Sequence, residues 1–321
     1  MAEFAAIAGS TEAEGASYME MAGGNLEAAL TIFFDGGGAA LAAPPQAAAS
    51  AETLTYPDWW DAVWPKQTRV PVAWSEQSFD FGAGGEGVPP FGLLQPKNGP
   101  CGVLAAVHAK VAARCFGESG FGRGTDARDF AVSDDLLSAA LADMLLAARA
   151  PGGKPTAPCV LAAWSSSDAD VSSPEAVRLA PIGPGELLAA IKSRVAEFRG
   201  AGGVLLFLYS LVHTRGIEQI KSEALELPLV YGNFWVCSSE LVALVLRGVA
   251  DGNVGAYGAG GGKNDIEPLD VGIISMTAVT SSIPMADAYL NPTTPVWLLH
   301  GTDHFTVLFA DKEIAERSEE D

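Results

Sequence analysis

The pattern of apolar positions predicts both helices and strands in the central and last parts of the chain. After Gly99 and Pro100, apolar residues recur at helical spacing, which predicts a helix that begins at Cys101; they are Val103, Leu104, Val107 and Val111. The stretch 130–150 is strongly apolar and predicts a core helix. Residues 295–310, PVWLLHGTDHFTVLFA, contain two apolar, β-branched runs around a glycine-containing turn, which predicts a hairpin. These elements predict an α+β fold, in which the helix of Cys101 packs against an antiparallel sheet that carries His304.

The beginning of the chain has a separate organisation. Three short helices are predicted within residues 1–36. The helical spacing of Phe4, Ile7 and Ala8 indicates the first, and Ser10 or Thr11 can cap the second. Asn25 can cap the third, which contains Leu26, Ala29, Leu30 and Phe33. Residues 37–56 are rich in glycine, alanine and proline and predict a flexible linker. Residues 57–321 are expected to form the main domain.

Charge and cysteine content restrict the partners. With 39 acidic and 19 basic residues the net charge is -20, which disfavours nucleic acid and anionic membrane surfaces. The longest apolar run, Val204 to Val212, is too short to span a bilayer and is typical of a strand. The four cysteines form no CxxC pair, so we expect no disulfide framework, no metal site and no cofactor. A soluble protein of the cytoplasm or nucleus is predicted.

Two glycine-rich stretches do not predict nucleotide sites. FDFGAGGEG has glycines at GxGxxG spacing, but Val-Pro-Pro follows instead of a helix. GAYGAGGGKN lacks the Walker spacing and the Ser or Thr after Lys263. Both are expected to be loops. The aromatic stretch YPDWWDAVWP is expected to pack in the core.

Cys101 is the candidate nucleophile. Its predicted position at a helix N-terminus favours a thiolate, because backbone donors and the helix dipole stabilise negative charge there. Gln95 lies six residues upstream and is a candidate oxyanion donor. Cys237 also precedes a predicted helix, SSELVALVLRG, and is the competing thiol, but it has no upstream glutamine.

The candidate bases are the chain's four histidines. His108 lies two turns along the helix of Cys101, too far to share its proton, and is expected to pack or face solvent. His213 follows the strand-like run and has no obvious partner. His300 and His304 flank the bend of the hairpin, and one of them is expected to be the base. His304 would share a strand face with Thr306, a candidate orienter of its ring; Asp303 is the alternative.

The N-terminal residues YMEMAGGNLEAALTIFFD resemble the UBA-like ubiquitin-binding modules over residues 3 to 35. The resemblance implies a three-helix bundle that binds ubiquitin.

The stretches GLLQPKNGPCGVLAAVHA and TDHFTVLFA resemble the MINDY family of deubiquitinases, in its larger third and fourth branches. The stretches FWVCSSELVALVLRGVADGNV and VGIISM extend this resemblance over roughly residues 57 to 312. It implies a papain-like cysteine peptidase fold, with Cys101 as nucleophile, His304 as general base and Gln95 in the oxyanion hole. It also implies a preference for chains linked through lysine forty-eight of ubiquitin. Asn98 stands where the family usually has glycine.

These observations together predict a monomeric deubiquitinase whose partners are ubiquitin and polyubiquitin chains. Two alternatives stay open from sequence alone. One is a ubiquitin-binding adaptor with a misaligned cysteine and histidine, and the other is a cysteine hydrolase or acyltransferase that acts on a different amide.

Overall fold

The computed structural model describes residues 16, 19, 26, 29, 58–82, 92–117, 132–149, 157–232, 234–257, 263, 266–276, 280, 284–301 and 304–310. The chain divides into two compact units, Met1–Tyr56 and Pro57–Asp321. The predicted three-helix bundle and the linker lie almost wholly outside the described residues, as do most of the two glycine-rich stretches. The division into module, linker and peptidase domain therefore stays a prediction.

The second unit combines helices with short sheets, so its mixed helix and strand content is confirmed. The helices are α1 (Asp58–Val63), α2 (Val72–Ser75), α3 (Cys101–Phe116), α4 (Asp134–Ala147), α5 (Leu187–Lys192), α6 (Val195–Arg199), α7 (Gly203–Arg215), α8 (Ile217–Glu223), α9 (Ser239–Arg247) and α10 (Asp287–Leu290). The strands are β1 (Cys159–Trp164), β2 (Val177–Ile182), β3 (Val230–Tyr231), β4 (Val236–Cys237), β5 (Gly272–Ser275), β6 (Val296–His300) and β7 (Phe305–Phe309).

The strands pair in three small sheets. β1 pairs with β2 and β3 with β4, both antiparallel. The third sheet has the order β5-β6-β7, in which β6 and β7 form the predicted hairpin. The sequence predicted an antiparallel sheet here, and this was wrong in one respect, because β5 runs parallel to β6. The sheet is mixed, since β5 comes from an earlier segment joined to β6 by a crossover through α10.

The helix predicted to begin at Cys101 is confirmed as α3. It packs against β6 and β7 of the mixed sheet and against α4 and α9. Nearly all of its residues from Cys101 to Ala113 are buried. Within the apolar stretch 130–150, residues Asp134–Ala147 form α4, whose N-cap Ser133 accepts a hydrogen bond from the Leu136 N–H. Helix α3 is therefore held between a sheet and two helices.

The composition of the run Val204 to Val212 suggested a strand, and this was wrong. The run forms most of the central helix α7. All nine of its residues are buried, and apolar periodicity alone does not distinguish such a helix from a buried strand. The polar side chains of α7 bond to β1: Ser210 accepts a hydrogen bond from the Ala162 N–H, and Thr214 from the Val160 N–H. The backbone groups of β1 thereby obtain partners from a helix.

The aromatic stretch at the start of the second unit packs in the core, as expected. Trp60, Trp64 and Trp74 are fully buried. The Trp64 Nε1 donates to the hydroxyl of buried Tyr209, and the ring of Trp64 meets that of Trp74 edge to face, with centroids 5.2 Å apart. This cluster joins α1 and α2 to α7.

Candidate active site

A cleft of about 340 Å³ lies between α3 and β7. One wall is the face of α3 formed by positions i, i+3, i+4 and i+7, and the other is the beginning of β7 with the residue before it. The lining residues are Leu93, Gln95, Asn98, Cys101, Leu104, Ala105, His108, His304, Phe305, Thr306 and Val307. The cleft thus brings together all four candidate residues, Gln95, Cys101, His304 and Thr306.

Cys101 is the first residue of α3 and is only 4 % exposed. The turn before it depends on Gly99, whose φ of +128° is a conformation that residues with a Cβ rarely adopt. A Cβ at Gly99 would also lie 2.9 Å from Trp74 Nε1. The Pro100 carbonyl accepts the first helical hydrogen bond, from the Leu104 N–H. The Gly-Pro turn therefore delivers the thiol to the N-terminal end of the helix, where the positive end of the dipole lies.

Gln95 lies in a loop that is fixed from both sides. Its Nε2 donates to the Lys97 carbonyl at 3.0 Å, within the same loop. Because a primary amide carries two N–H hydrogens, this bond orients the side chain and leaves a second donor for an oxyanion. Just before Gln95, the carbonyl of Leu94 accepts a hydrogen bond at 2.9 Å from the buried Gln77 Nε2. Gln77 is a supporting residue that the sequence reasoning missed.

His304 lies at the end of the hairpin turn, one residue before β7 begins, so it is not itself part of the strand whose face it was predicted to share with Thr306. The His304 carbonyl accepts a hydrogen bond from the Gly301 N–H at 2.9 Å, and this bond closes the hairpin turn. The side chains of His304 and Thr306 are both exposed to the cleft side, while Phe305 between them is buried. Asp303, the alternative orienter, lies outside the described residues.

The other three histidines differ from His304 in their surroundings. His300 stacks on the Phe305 ring with centroids 4.3 Å apart, and burial lowers its pKa. His213 meets the Trp59 ring edge to face at 5.0 Å, and burial again lowers its pKa. His108 is partly buried and lines the cleft two turns beyond Cys101. Burial lowers the pKa of His108 to about 4, so its ring is neutral at pH 7.

Cys237, the competing thiol, is fully enclosed by protein. Its Sγ donates to the Gly99 carbonyl at 3.7 Å and lies against Gly102. Burial first, and then the nearby charge of Cys101, raise the pKa of Cys237 far above the usual range, although the N–H groups of Gly102 and Val103 partly oppose this. A thiol in this state is a poor nucleophile at neutral pH.

The described residues contain no group of histidine, cysteine and acidic side chains arranged to hold a metal ion. All four cysteines are among them, and no disulfide joins any pair. In the same part of the chain, every helix is too short or too polar to cross a bilayer.

A thiol at a helix N-terminus opposite a histidine just before a neighbouring strand, with an amide donor on the loop before the thiol, is the arrangement that a cysteine-dependent hydrolase requires. Comparison with protein families specifies the class further. Residues 65–320 match the family model of the deubiquitinating enzyme MINDY-3/4, conserved domain, and residues 1–40 match that of the UBA-like domain. The chain belongs to the MINDY-3/4 family of deubiquitinating enzymes.

The chain is also similar in sequence to MINDY-3 and MINDY-4 proteins of several animals. The ubiquitin carboxyl-terminal hydrolase MINDY-3 of Xenopus tropicalis is 33 % identical over 136 residues, covering 40 % of this chain and 31 % of the relative. The probable ubiquitin carboxyl-terminal hydrolases MINDY-4 of Xenopus tropicalis and Homo sapiens are 28 % and 27 % identical, each covering 74 % of this chain and 33 % of the relative. The chain spans about a third of the length of these relatives. No solved structure matches it.

Proposed function

We propose that this protein is a thiol-dependent deubiquitinase that hydrolyses isopeptide bonds in polyubiquitin. The observation that carries the proposal is the meeting of Cys101, His304 and Gln95 on the walls of one cleft. Family membership and the relatives named ubiquitin carboxyl-terminal hydrolases support the choice of substrate.

In the proposed mechanism, His304 accepts the Cys101 proton and the thiolate attacks the carbonyl of ubiquitin's C-terminal glycine. Gln95 and a backbone N–H near Cys101 stabilise the oxyanion. His304 then returns the proton to the departing lysine amine, which leaves a thioester on Cys101. His304 next deprotonates a water molecule, and this water hydrolyses the thioester to release ubiquitin and restore the thiol. Thr306 would orient the imidazole through these proton transfers.

The N-terminal UBA-like module would make the enzyme prefer polyubiquitin chains to single ubiquitin. A UBA-like bundle that binds one ubiquitin of a chain raises the effective concentration of the next ubiquitin at the cleft. We propose polyubiquitin linked through lysine forty-eight as the substrate, on the family resemblance. We further propose that the protein is a monomer. We place it in the cytoplasm or nucleus, because its four free cysteines would stay reduced there. The papain-like fold is part of the same proposal.

The test is the reaction of the full chain with ubiquitin that carries a C-terminal electrophile, followed by intact mass. We expect one ubiquitin adduct, lost in Cys101→Ala. Cys115→Ala is the matched control, since Cys115 lies near the other end of the same helix, and it should retain the adduct. Absence of an adduct in the wild-type protein, with polyubiquitin binding intact, would favour the adaptor hypothesis instead.

A further inference from the structure

The segment from the end of α8 through β3 carries three exposed large apolar side chains. Leu225 is 66 % exposed, Leu227 40 % and Tyr231 50 %, all within seven residues. Isolated exposed leucines are common on protein surfaces, whereas three large apolar side chains in one short segment are typical of a binding surface. We call these three residues the apolar segment.

The apolar segment is fixed to the turn that precedes Cys101. Within the β3–β4 hairpin, Tyr231 pairs with Val236 and Val230 with Cys237. Cys237 in turn lies against Gly99 and Gly102. Val230, the neighbour of Tyr231 in β3, therefore pairs with the residue that packs against Gly102, which directly follows Cys101.

Two further contacts make this attachment rigid. The Trp74 Nε1 donates to the Trp235 carbonyl at 2.8 Å, at the point where Gly99 approaches the hairpin. The Leu229 N–H donates to the Ala62 carbonyl at 2.8 Å, which anchors the segment to α1. The β3–β4 hairpin, which contains the last residue of the apolar segment, is thus held beside the turn that precedes Cys101.

The surroundings of the apolar segment are acidic. Glu226 is exposed between the two leucines. Near the start of the segment, the carboxylates of Asp58 and Glu218 are more than three-quarters exposed and share a single lysine, Lys221. With a net charge of -20 on the chain, this surface attracts a partner whose apolar centre has a basic rim.

We propose that the apolar segment is the surface on which the folded body of ubiquitin docks while its C-terminal tail enters the cleft. Ubiquitin is the partner because it presents an apolar face rimmed by basic side chains. This inference rests on the proposed function, and it names the part of the enzyme that distinguishes whole ubiquitin from a short peptide tail.

The first experiment measures the second-order rate of adduct formation with the ubiquitin electrophile. Leu225→Asp and Tyr231→Ala should each lower this rate by about tenfold, because charge or truncation removes apolar contact with ubiquitin's body. Leu179→Asp and Leu188→Asp are matched controls on β2 and α5, with native side chains 43 % and 40 % exposed, and they should keep the wild-type rate. Alkylation of Cys101 by iodoacetamide, which has no docking requirement, should be unchanged in all four variants.

The second experiment locates ubiquitin without relying on turnover. A p-benzoylphenylalanine placed at position 231 should cross-link to ubiquitin on irradiation, and the same group at position 179 should not. Wild-type adduct formation with unchanged rates in the Leu225 and Tyr231 variants and no cross-link from position 231 would overturn the docking surface alone. A cross-link without any adduct would support the surface and overturn the proposed catalysis. Absence of both would overturn both.

Discussion

The Cys237 thiol occupies the space that a side chain at Gly102 would need. A Cβ at position 102 would lie 2.8 Å from Cys237 Cβ, 3.0 Å from its Sγ and 2.7 Å from Val242 Cγ2. Since Gly102 directly follows Cys101, the close packing of β4 against the helix start depends on a residue without a side chain. The buried cysteine and the glycine together set the depth at which Cys101 sits.

Gly102→Ala should destabilise the protein and misplace the thiol. The added methyl group meets Cys237 on β4 and Val242 on α9, so the free energy of unfolding should fall by about 1–3 kcal/mol, and adduct formation should slow. Urea denaturation and the ubiquitin electrophile measure the two effects. Gly185→Ala is the control, because no atom lies within 4 Å of a Cβ there, and it should behave as wild type. Equal stability of both variants would contradict the packing described.

Gln77→Ala should disturb the loop of Gln95, because it removes the hydrogen bond to the Leu94 carbonyl. Gln77 is 2 % exposed and donates to the carbonyls of Ser78 and Leu94, both at 2.9 Å. Its loss leaves two partly buried carbonyls without these donors, which costs about 0.5–1.5 kcal/mol for each hydrogen bond. The rate of adduct formation should fall, while alkylation of Cys101 by iodoacetamide should not.

Lys97→Ala tests whether the loop depends equally on its surface contact. The Lys97 ammonium pairs with Glu76 at 2.8 Å, but both side chains are about half exposed. Such a pair is worth at most about 1 kcal/mol, so stability and adduct rate should change little. A larger effect from Lys97→Ala than from Gln77→Ala would reverse the assigned order of importance.

The stability of the protein should fall between pH 7 and pH 4, in part because of His108. Burial lowers its pKa from 6.5 to about 4, so over this range the unfolded chain binds a proton that the folded protein does not. The stabilisation is complete above the unfolded pKa, and about 3 kcal/mol of it is lost by pH 4. Urea denaturation of His108→Gln across this range should give a correspondingly flatter dependence. Parallel pH curves for both proteins would contradict the burial of the neutral ring.

The ion pair between Arg215 and Glu223 should be far more important than its surface counterparts. The Arg215 side chain is 1 % exposed and that of Glu223 12 %, and Glu223 also accepts the Ala250 N–H at 3.0 Å. Glu223→Ala leaves the guanidinium buried without its carboxylate, so it should cost about 3–5 kcal/mol. Glu218→Ala, which breaks an exposed pair with Lys221, should cost less than about 1 kcal/mol. Thermal and urea denaturation distinguish the two.

The sequence predicted the local elements of the site well. A Gly-Pro turn before an apolar stripe specified the start of α3, and paired β-branched runs around a glycine specified the β6–β7 hairpin. Both signals are local, since each depends on spacing within some fifteen residues. The meeting of Cys101 and His304 in one cleft needed a long-range argument, and the candidate residues do meet there.

Features that depend on tertiary context were not predicted. Helix α7 is buried on all sides from Gly203 to Val212, so no polar face reveals its period, and the parallel pairing of β5 with β6 joins segments that are distant in sequence. His108 could have been placed in the cleft, because seven residues are close to two helical turns and return to the face of Cys101. Gln77 carried no such signal, since its role comes from a carbonyl seventeen residues away.

The indole of Trp74 gives this protein an optical reporter at its active-site turn. The ring belongs to the buried aromatic cluster, yet its Nε1 donates to the Trp235 carbonyl where Gly99 approaches. Any ligand that moves the Gly99 turn therefore alters the polarity around an emitting group. Binding that moves this turn can then be followed in real time by intrinsic fluorescence of the unlabelled chain, with Trp74→Phe identifying the share of the signal that arises beside it.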